Sequence, residues 1–479
     1  MNERTKRHLR IAAWTLVGLL CVVFALVTGF FALMRREFGQ SPPPAHYSPP
    51  ANSAEANRQD LEYLRLLPSY DRSFSPAAKA AFSAYLDDAT AKAGTLDRAG
   101  LEMAVAHAVA LADNGHTNAQ GVGEGRNLNA LPIRMAQFAD GFYIVMAKPP
   151  NLDLLGARVV SENGRSIDDL RHTLQPYEGG SEEHLREKLP NFLQSPQALQ
   201  AAGLASSATE ATFELMFSDG RQVTRSLTAD PKPTPGYAWA DRALSPARPD
   251  TLTQNESWLH LLDKQAHLPI YLQHVDAPYW NVYLEDIPAL YVQINTMRDV
   301  GARPVEAYLS DLLRQIAGAH PRHMIVDFRF DSGGDYTLYA DFSKKLPRLL
   351  PRDGKLFLIT GPNTFSAAIT TVARLKYFAG AKAVIVGETV GDRDGFWGEV
   401  NQFQLPNSRI AVQYATGYHD WVHGCTNWST CFWLNFSLLL GVAAGPLTPS
   451  LPTPLSFSDY QAGIDPALKA IADQLKLPR

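Results

Sequence analysis

A chain of 479 residues, 46% hydrophobic and 19% charged, has room for two or three domains and a large buried core, which excludes a chain disordered throughout. The formal net charge is −4; without residues 1–36 there remain 38 basic against 47 acidic residues, a net −9. That negative balance argues against nucleic acid as a partner.

Residues 1–10 are basic, and residues 11–34, IAAWTLVGLLCVVFALVTGFFALM, carry no charge. As a helix this run spans roughly 36 Å, enough for a hydrocarbon core of about 30 Å. It is longer than the apolar part of a cleavable signal peptide and ends in MRRE rather than an A-x-A site, so it reads as an uncleaved signal anchor, a single transmembrane helix. Arg4, Lys6, Arg7 and Arg10 precede it, and Arg35, Arg36 and Glu37 follow it. The positive-inside bias puts the N-terminus in the cytoplasm and the body outside it, on the periplasmic side of a bacterial inner membrane. Cys21 lies inside the run, and Leu20 before it is a poor fit to a lipoprotein cleavage site.

Residues 35–59 are rich in Pro, Ser and Ala, a linker expected to lift the body off the membrane. Residues 60–125 hold helical patterns, the second ending in Asn-Gly, and predict a small helical cap. Residues 126–232 alternate in short strands broken by Asp-Gly and Asn-Gly turns, with one helix between them, a small β-rich module. A Pro-rich connecting segment covers residues 233–284. From 285 to 479, ALYVQINT, HMIVDFRF, KLFLIT and AKAVIVGE alternate with helical stretches, which implies crossover connections and a largely parallel sheet in an α/β core. Active sites in such sheets gather at the carboxyl ends of strands, where RFDSGGD and TGPNTFS both fall. The tail SDYQAGIDPALKAIADQL closes with an amphipathic helix.

Ser366, in NTFSAA, stands where a strand hands over to a helix. Backbone N–H groups are free there and the helix dipole favours developing negative charge, so a nucleophilic serine would gain an oxyanion donor in the N–H of Ala367. The ordinary alternative, favoured while this turn is taken alone, is that Asn363 or Thr364 caps the helix and Ser366 fills its first turn. DFRFDSGGD adds a second N–H source: Gly333 and Gly334 let backbone approach a ligand closely, or simply make a tight turn. His116, in DNGHTNA, lies past a predicted helix end, where it complements the dipole or serves as the base for Ser366.

Together these residues resemble the serine peptidase family of tail-specific (C-terminal-processing) proteases and the tricorn core. LADNGHT is similar to the family's Asp-Gly-His-Thr element, MIVDFRFDSGG to Asp-Leu-Arg-x-Asn-x-Gly-Gly, NTFSAA to the Thr-x-Ser-Ala/Ser nucleophile turn, and AVIVGETVG to the Val-Gly-Glu-Pro-Thr-x-Gly strand. The four occur in order between about residues 60 and 475, and GARVVSENGRSIDDL resembles the family's PDZ-like module. The resemblance implies a crotonase-like α/β core, a peptide or protein substrate, Ser366 as nucleophile, and oxyanion donors near Gly333, Gly334 and Ala367. It requires no metal or other cofactor and sets no oligomeric state.

One departure selects a branch. Tail-specific members carry a lysine base in a Gly-Lys pair after the last strand, where this chain has Gly391-Asp392 followed by Arg393. With the lysine absent, His116 becomes the base, as in the tricorn-like branch, and Glu399 and Asp420 are candidates for its acidic partner. Cys425 and Cys431 can join in an oxidising compartment and hold a local loop, worth roughly 2 to 2.5 kcal/mol for so short a ring. A zinc site would need more ligands than His419 and His423 add. Tyr418, Trp421, Trp428 and Trp433 could line a substrate groove or contact lipid or a partner. The sequence therefore predicts a membrane-anchored serine peptidase. The alternatives are an inactive peptidase-like scaffold that binds peptides or protein C-termini, and an acyltransferase or esterase on the same fold.

Overall fold

The runs ALYVQI, HMIVD, LFLIT and AVIVG are apolar at almost every position, as strands buried on both faces must be, and they form the centre of a six-stranded sheet. The molecule is described from a computed structural model covering residues 3–38, 41–120, 128–231, 243–246, 258–265, 267–301 and 304–476. Most of the Pro-rich part of the connecting segment lies outside the described residues, as do residues 121–127 at the predicted cap–module boundary.

The sheet order is Leu451–Pro452, Ala383–Gly387, Leu356–Thr360, His323–Asp327, Ala289–Ile294, Tyr279–Tyr283. Every join is parallel except the last. Alternate side chains point to opposite faces, so Leu290, Val292, Met324, Val326, Leu356 and Leu358 pack under helices Val305–Ala319, Ala340–Leu349 and Ala367–Ala379. Tyr291, Ile325, Phe357 and Val384 face the other way, onto Ala467 and Ile471 of the C-terminal helix Pro466–Lys476. The alternation expected from residue 285 onward is the one observed.

In the β-rich module, strands Ile133–Phe138, Gly141–Ala147, Arg158–Glu162, Glu210–Met216 and Gln222–Thr228 pair antiparallel in that order. Asn163 and Gly164, with φ of 52° and 77°, make the two-residue turn between Glu162 and Arg165. Instead of one helix the module holds three, Ile167–Leu174, Glu182–Leu193 and Pro196–Ala201, started by side-chain caps from Ser166, Ser181 and Ser195. The cap has helices Ser53–Leu64, Pro76–Ala91 and Arg98–Ala110 behind N-caps Asn52, Ser75 and Asp97.

A third sheet was not foreseen from the sequence. Strands Gly395–Gln404 and Ala411–Asp420 form a long hairpin, and the short strand Asn118–Gln120 that follows the last cap helix pairs with its second arm. This pairing carries the His116 loop from the cap onto the core.

Helix Glu3–Glu37 contains a stretch, Arg10–Glu37, long and apolar enough to cross a membrane. Its last residues are fixed to the body rather than held away from it. Thr416 Oγ1 donates to the Glu37 carbonyl (2.7 Å), Asn401 Nδ2 to that of Phe38 (2.7 Å), and the Glu37 side chain is 1% exposed. The Pro-rich segment then runs along the cap, its Pro43 carbonyl accepting from Tyr63 Oη at 2.7 Å. Among the described residues of 35–59, the chain is thus hydrogen-bonded to the body at 37–38 and to the cap at 43.

Candidate active site

At the carboxyl end of strand Leu356–Thr360 the chain turns sharply before helix Ala367–Ala379. Thr364 Oγ1 accepts from Gly361 N (3.0 Å) and donates to the Phe328 carbonyl (2.9 Å), while Asn363 Nδ2 reaches the Phe330 carbonyl (3.4 Å). Both residues that could have capped the helix are thus turned to the neighbouring strand. The N-cap position falls to Ser366, whose φ is 55° and ψ −123°, and whose side chain makes no cap hydrogen bond. A residue with a Cβ held there stores on the order of 1–3 kcal/mol of strain, and the hydroxyl faces a cavity instead of the helix backbone.

The glycine turn from strand His323–Asp327 lies against this elbow. A Cβ on Gly333 would come within 2.8 Å of Ser366 Cβ and 2.9 Å of Ala367 N, and one on Gly334 within 2.3 Å of the Met297 carbonyl oxygen. Only glycine allows such an approach. Gly333 N–H donates to Asp331 Oδ1 at 2.8 Å, so it is not free as an oxyanion donor; its part is to hold the turn. Gly334 and Ala367 line the cavity with Ser366, and among the described residues their N–H groups make no hydrogen bond. Asp331 is fully buried, and burial pushes its carboxyl well above the usual carboxylate range. It stands at the place of the asparagine in the motif that the sequence resembles.

Beneath the turn, Tyr291 Oη donates to Asp327, and Arg329 joins Asp327 to Asp465 at 2.8 and 2.9 Å. Asp465 in turn accepts from Ala467 N at the start of the C-terminal helix. Asp327 and Arg329 therefore brace the turn from below and take no place in the cavity.

His116 reaches the site on a loop pinned at several points. Gln413 Nε2 donates to its carbonyl (3.0 Å), Thr117 Oγ1 donates to Asp71 (2.6 Å), and Arg393 binds the Asp113 carbonyl and carboxylate at 2.9 and 2.7 Å. It lies six residues beyond Ala110, the last residue of its helix, too far for the dipole to be its partner. Its ring is stacked between Phe365 (centroids 4.3 Å) and Phe396 (5.4 Å) and is 4% exposed. Nδ1 stands 3.4 Å from Asp392 Oδ2, a carboxylate equally withdrawn from solvent.

Asp392 was not among the carboxylates expected beside His116. The turn that carries it touches the serine elbow directly: Gly391 N donates to the Thr364 carbonyl (2.9 Å), and a Cβ on Gly391 would strike the Pro362 carbonyl oxygen at 2.1 Å. The two carboxylates expected beside His116 lie elsewhere. Asp420 bonds the backbone N and Nδ1 of His423. Glu399, at φ 54°, faces the same cavity but turns Oε1 to His419 Nε2 and Tyr336 Oη, both at 3.3 Å.

Ser366, His116, Gly334, Ala367, Tyr336, Glu399 and His419 share a cavity of about 430 Å3, walled by Phe38, Phe396 and Phe432. Among the described residues no hydrogen bond joins Ser366 to His116, and neither imidazole nitrogen has a partner within hydrogen-bond geometry. A second cavity of about 120 Å3 lies between strand Ile133–Phe138, helix Glu182–Leu193 and the core, lined by Arg186, Arg329, Phe330 and Glu388. Cys425 and Cys431 form a disulfide with Cα atoms 5.8 Å apart, and Tyr418 and Trp433 pack beside it or on the core while Trp428 is exposed. Among the described residues no group of three or more His, Cys, Asp or Glu is placed to hold a metal ion.

No family model matches the chain, and no curated protein matches it. Solved structures do. Mature CPAF complexed with lactacystin superposes with a TM-score of 0.55 at 14% identity, over 88% of this chain and 98% of that one. A second structure of mature CPAF gives 0.55 and 14% over 88% and 97%. The photosystem II D1 C-terminal processing protease gives only 0.37 at 10% identity, over 87% and 96%. At these identities the likeness to CPAF is one of fold.

Proposed function

We propose that this chain is a membrane-anchored serine peptidase whose body lies outside the cytoplasm and whose nucleophile is Ser366. In this reading the core is crotonase-like and the β-rich module PDZ-like, in the histidine-using branch of the family that the sequence resembles. The observation that carries it is the backbone of Ser366, a strained conformation whose hydroxyl does no structural work. Support comes from the fold shared with mature CPAF, from the two unengaged N–H groups beside the serine, and from the His116–Asp392 contact.

Asp392 at Nδ1 would keep the proton on that nitrogen and leave Nε2 to take the proton of Ser366 as Oγ attacks a peptide carbonyl. Negative charge arising on the carbonyl oxygen would be held by the N–H groups of Gly334 and Ala367. The imidazolium would return its proton to the leaving amine, and water would then release the acyl-enzyme. Closing the gap between Oγ and Nε2 is left to substrate binding, since catalytic hydrogen bonds often tighten only in the complex. The test is labelling by a fluorophosphonate in wild type, Ser366→Ala, His116→Ala and Asp392→Asn. Labelling should vanish in Ser366→Ala and slow by 100-fold or more in His116→Ala; undiminished labelling of Ser366→Ala would refute the assignment.

A peptide-binding scaffold is the second reading, and one feature favours it. Strand Ile133–Phe138 is the edge of its sheet and borders the second cavity beside helix Glu182–Leu193, where an extended peptide can add as a further strand. Peptide binding unaffected by both Ser366→Ala and His116→Ala, with no fluorophosphonate labelling in wild type, would select it.

A further inference from the structure

The membrane-length helix runs unbroken to Glu37, and the next residue, Phe38, is part of the wall of the Ser366 cavity. Phe38 packs edge-on against Phe432 (5.6 Å), which lines the same cavity, and Trp433 N donates to Glu37 Oε2 (3.3 Å). Phe432 and Trp433 belong to residues 424–441, GCTNWSTCFWLNFSLLLG, a segment without a single charge. On it Leu438 is 89% exposed, Trp428 68% and Leu439 51%.

This segment is built rather than loose. It is closed by the Cys425–Cys431 disulfide, Trp428 stacks on Phe436 (3.9 Å), and Arg374 of the Ser366 helix donates to the Leu440 carbonyl. Arg36 Nη2 donates to the Trp428 carbonyl at 2.6 Å, so the exposed aromatic lies beside the end of the membrane-length helix. Exposed Trp and Leu on an uncharged surface, next to Arg35 and Arg36, have the composition of a segment seated at a membrane–water interface.

We infer that residues 424–441 rest in the bilayer interface and hold the mouth of the Ser366 cavity at the membrane surface, so that the substrate is a polypeptide segment just leaving the bilayer. This rests on the membrane-anchored reading. With Glu37 and Phe38 hydrogen-bonded to the body and Phe38 in the cavity wall, the cavity stands beside the end of the anchor helix, where a chain emerging from the bilayer comes close to Ser366.

The test uses the full chain, with Cys21→Ser, in nanodiscs of phosphatidylcholine and phosphatidylglycerol. Nitroxides at Leu438→Cys or Leu439→Cys, at Phe24→Cys in the helix and at Val282→Cys on the far edge of the core sheet are compared for accessibility to oxygen and to a nickel chelate. The expected result is oxygen preference at 438 and 439 severalfold above that at 282, approaching that at 24. Values at 438 and 439 equal to 282, with 24 in hydrocarbon, overturn the inference; a water-exposed 24 overturns the anchored reading and the inference together. A fluorophosphonate carried on a lipid headgroup should label Ser366 at least tenfold faster than the same group in solution. Leu438→Asp with Leu439→Asp should erase that ratio and leave soluble labelling unchanged. Labelling by the soluble probe alone overturns the substrate class, and labelling by neither removes the hydrolase premise while the nitroxides still decide the membrane contact.

Discussion

Replacing Ser366 by glycine should stabilise the protein, although it deletes the residue on which the proposed activity depends. The backbone at 366 has φ 55° and ψ −123°, a region glycine occupies freely and residues with a Cβ do not. Relief of that strain is worth on the order of 1–3 kcal/mol. Against it stands the larger conformational freedom of glycine in the unfolded chain, about 0.4–1 kcal/mol relative to alanine. The net gain of Ser366→Gly over Ser366→Ala is therefore about 0.5–2 kcal/mol. Ser366→Ala itself should be close to neutral against wild type, because the hydroxyl makes no cap bond. An ordinary N-cap serine behaves oppositely: its loss to alanine costs about 1 kcal/mol and glycine does no better than a few tenths below serine. Urea midpoints of the three proteins in the same lipid environment, read by tryptophan fluorescence with activity-probe labelling in parallel, separate the two cases. An order of wild type above glycine above alanine would refute the strained elbow, and with it the main structural reason for assigning Ser366 a chemical role.

Other consequences follow from the same geometry. Asp392→Asn should slow fluorophosphonate labelling by about 10²–10⁴-fold through loss of the correct imidazole orientation, whereas Glu399→Gln, whose carboxylate faces His419, should cost far less; equal losses would move the acidic role to Glu399. Because burial raises the native carboxyl of Asp331, the folded state binds a proton that the unfolded chain releases above about pH 4. Its contribution is thus fully present below that pH and is lost as pH rises toward the raised native value. Asp331→Asn should flatten the dependence of the urea midpoint between pH 4 and 8 and be the more stable form at the upper end; parallel profiles would show that Asp331 is ionised. Arg329→Met should destabilise by about 3–5 kcal/mol, since it leaves Asp327 and Asp465 buried without their cation, and a change under 1 kcal/mol would count against that network.

The core was legible because its strands are buried on both faces: short apolar runs rich in β-branched residues, such as LFLIT or AVIVG, each set between helical stretches, read as inner strands of a parallel sheet. The module's turns were legible for a local reason, the positive φ that Asn163 and Gly164 accept. The hairpin Gly395–Gln404 with Ala411–Asp420 was not, because its strands mix Gln, Asn, Gly and His with aromatics and their partner, Asn118–Gln120, lies nearly 300 residues away. A similar distance hid the carboxylate that lies beside His116. Glu399 and Asp420 were the candidates considered, whereas Asp392 meets His116 through two turns brought together by Arg393 and by the close approach of Gly391 to Pro362.

The position of Asp392 also explains how an aspartate can stand where the family that the sequence resembles carries a lysine. The turn at 391–392 is fixed by Gly391 N donating to the Thr364 carbonyl, by the tight passage of Gly391 over Pro362 and by Ser181 Oγ donating to the Gly391 carbonyl. Whatever residue follows that glycine is delivered beside the serine elbow. A lysine there is long enough to address a hydroxyl directly. An aspartate is shorter and a weaker base, and alone it could not take a serine proton at neutral pH. It can act at one remove, through a ring of fixed orientation, and the His116 imidazole held between Phe365 and Phe396 is such a ring. An Asp392→Lys substitution would then place an ammonium beside Nδ1 in the absence of its carboxylate. It should abolish labelling in the presence of His116 and restore part of it only when His116 is removed as well; recovery with His116 intact would mean that the imidazole was never in the proton path.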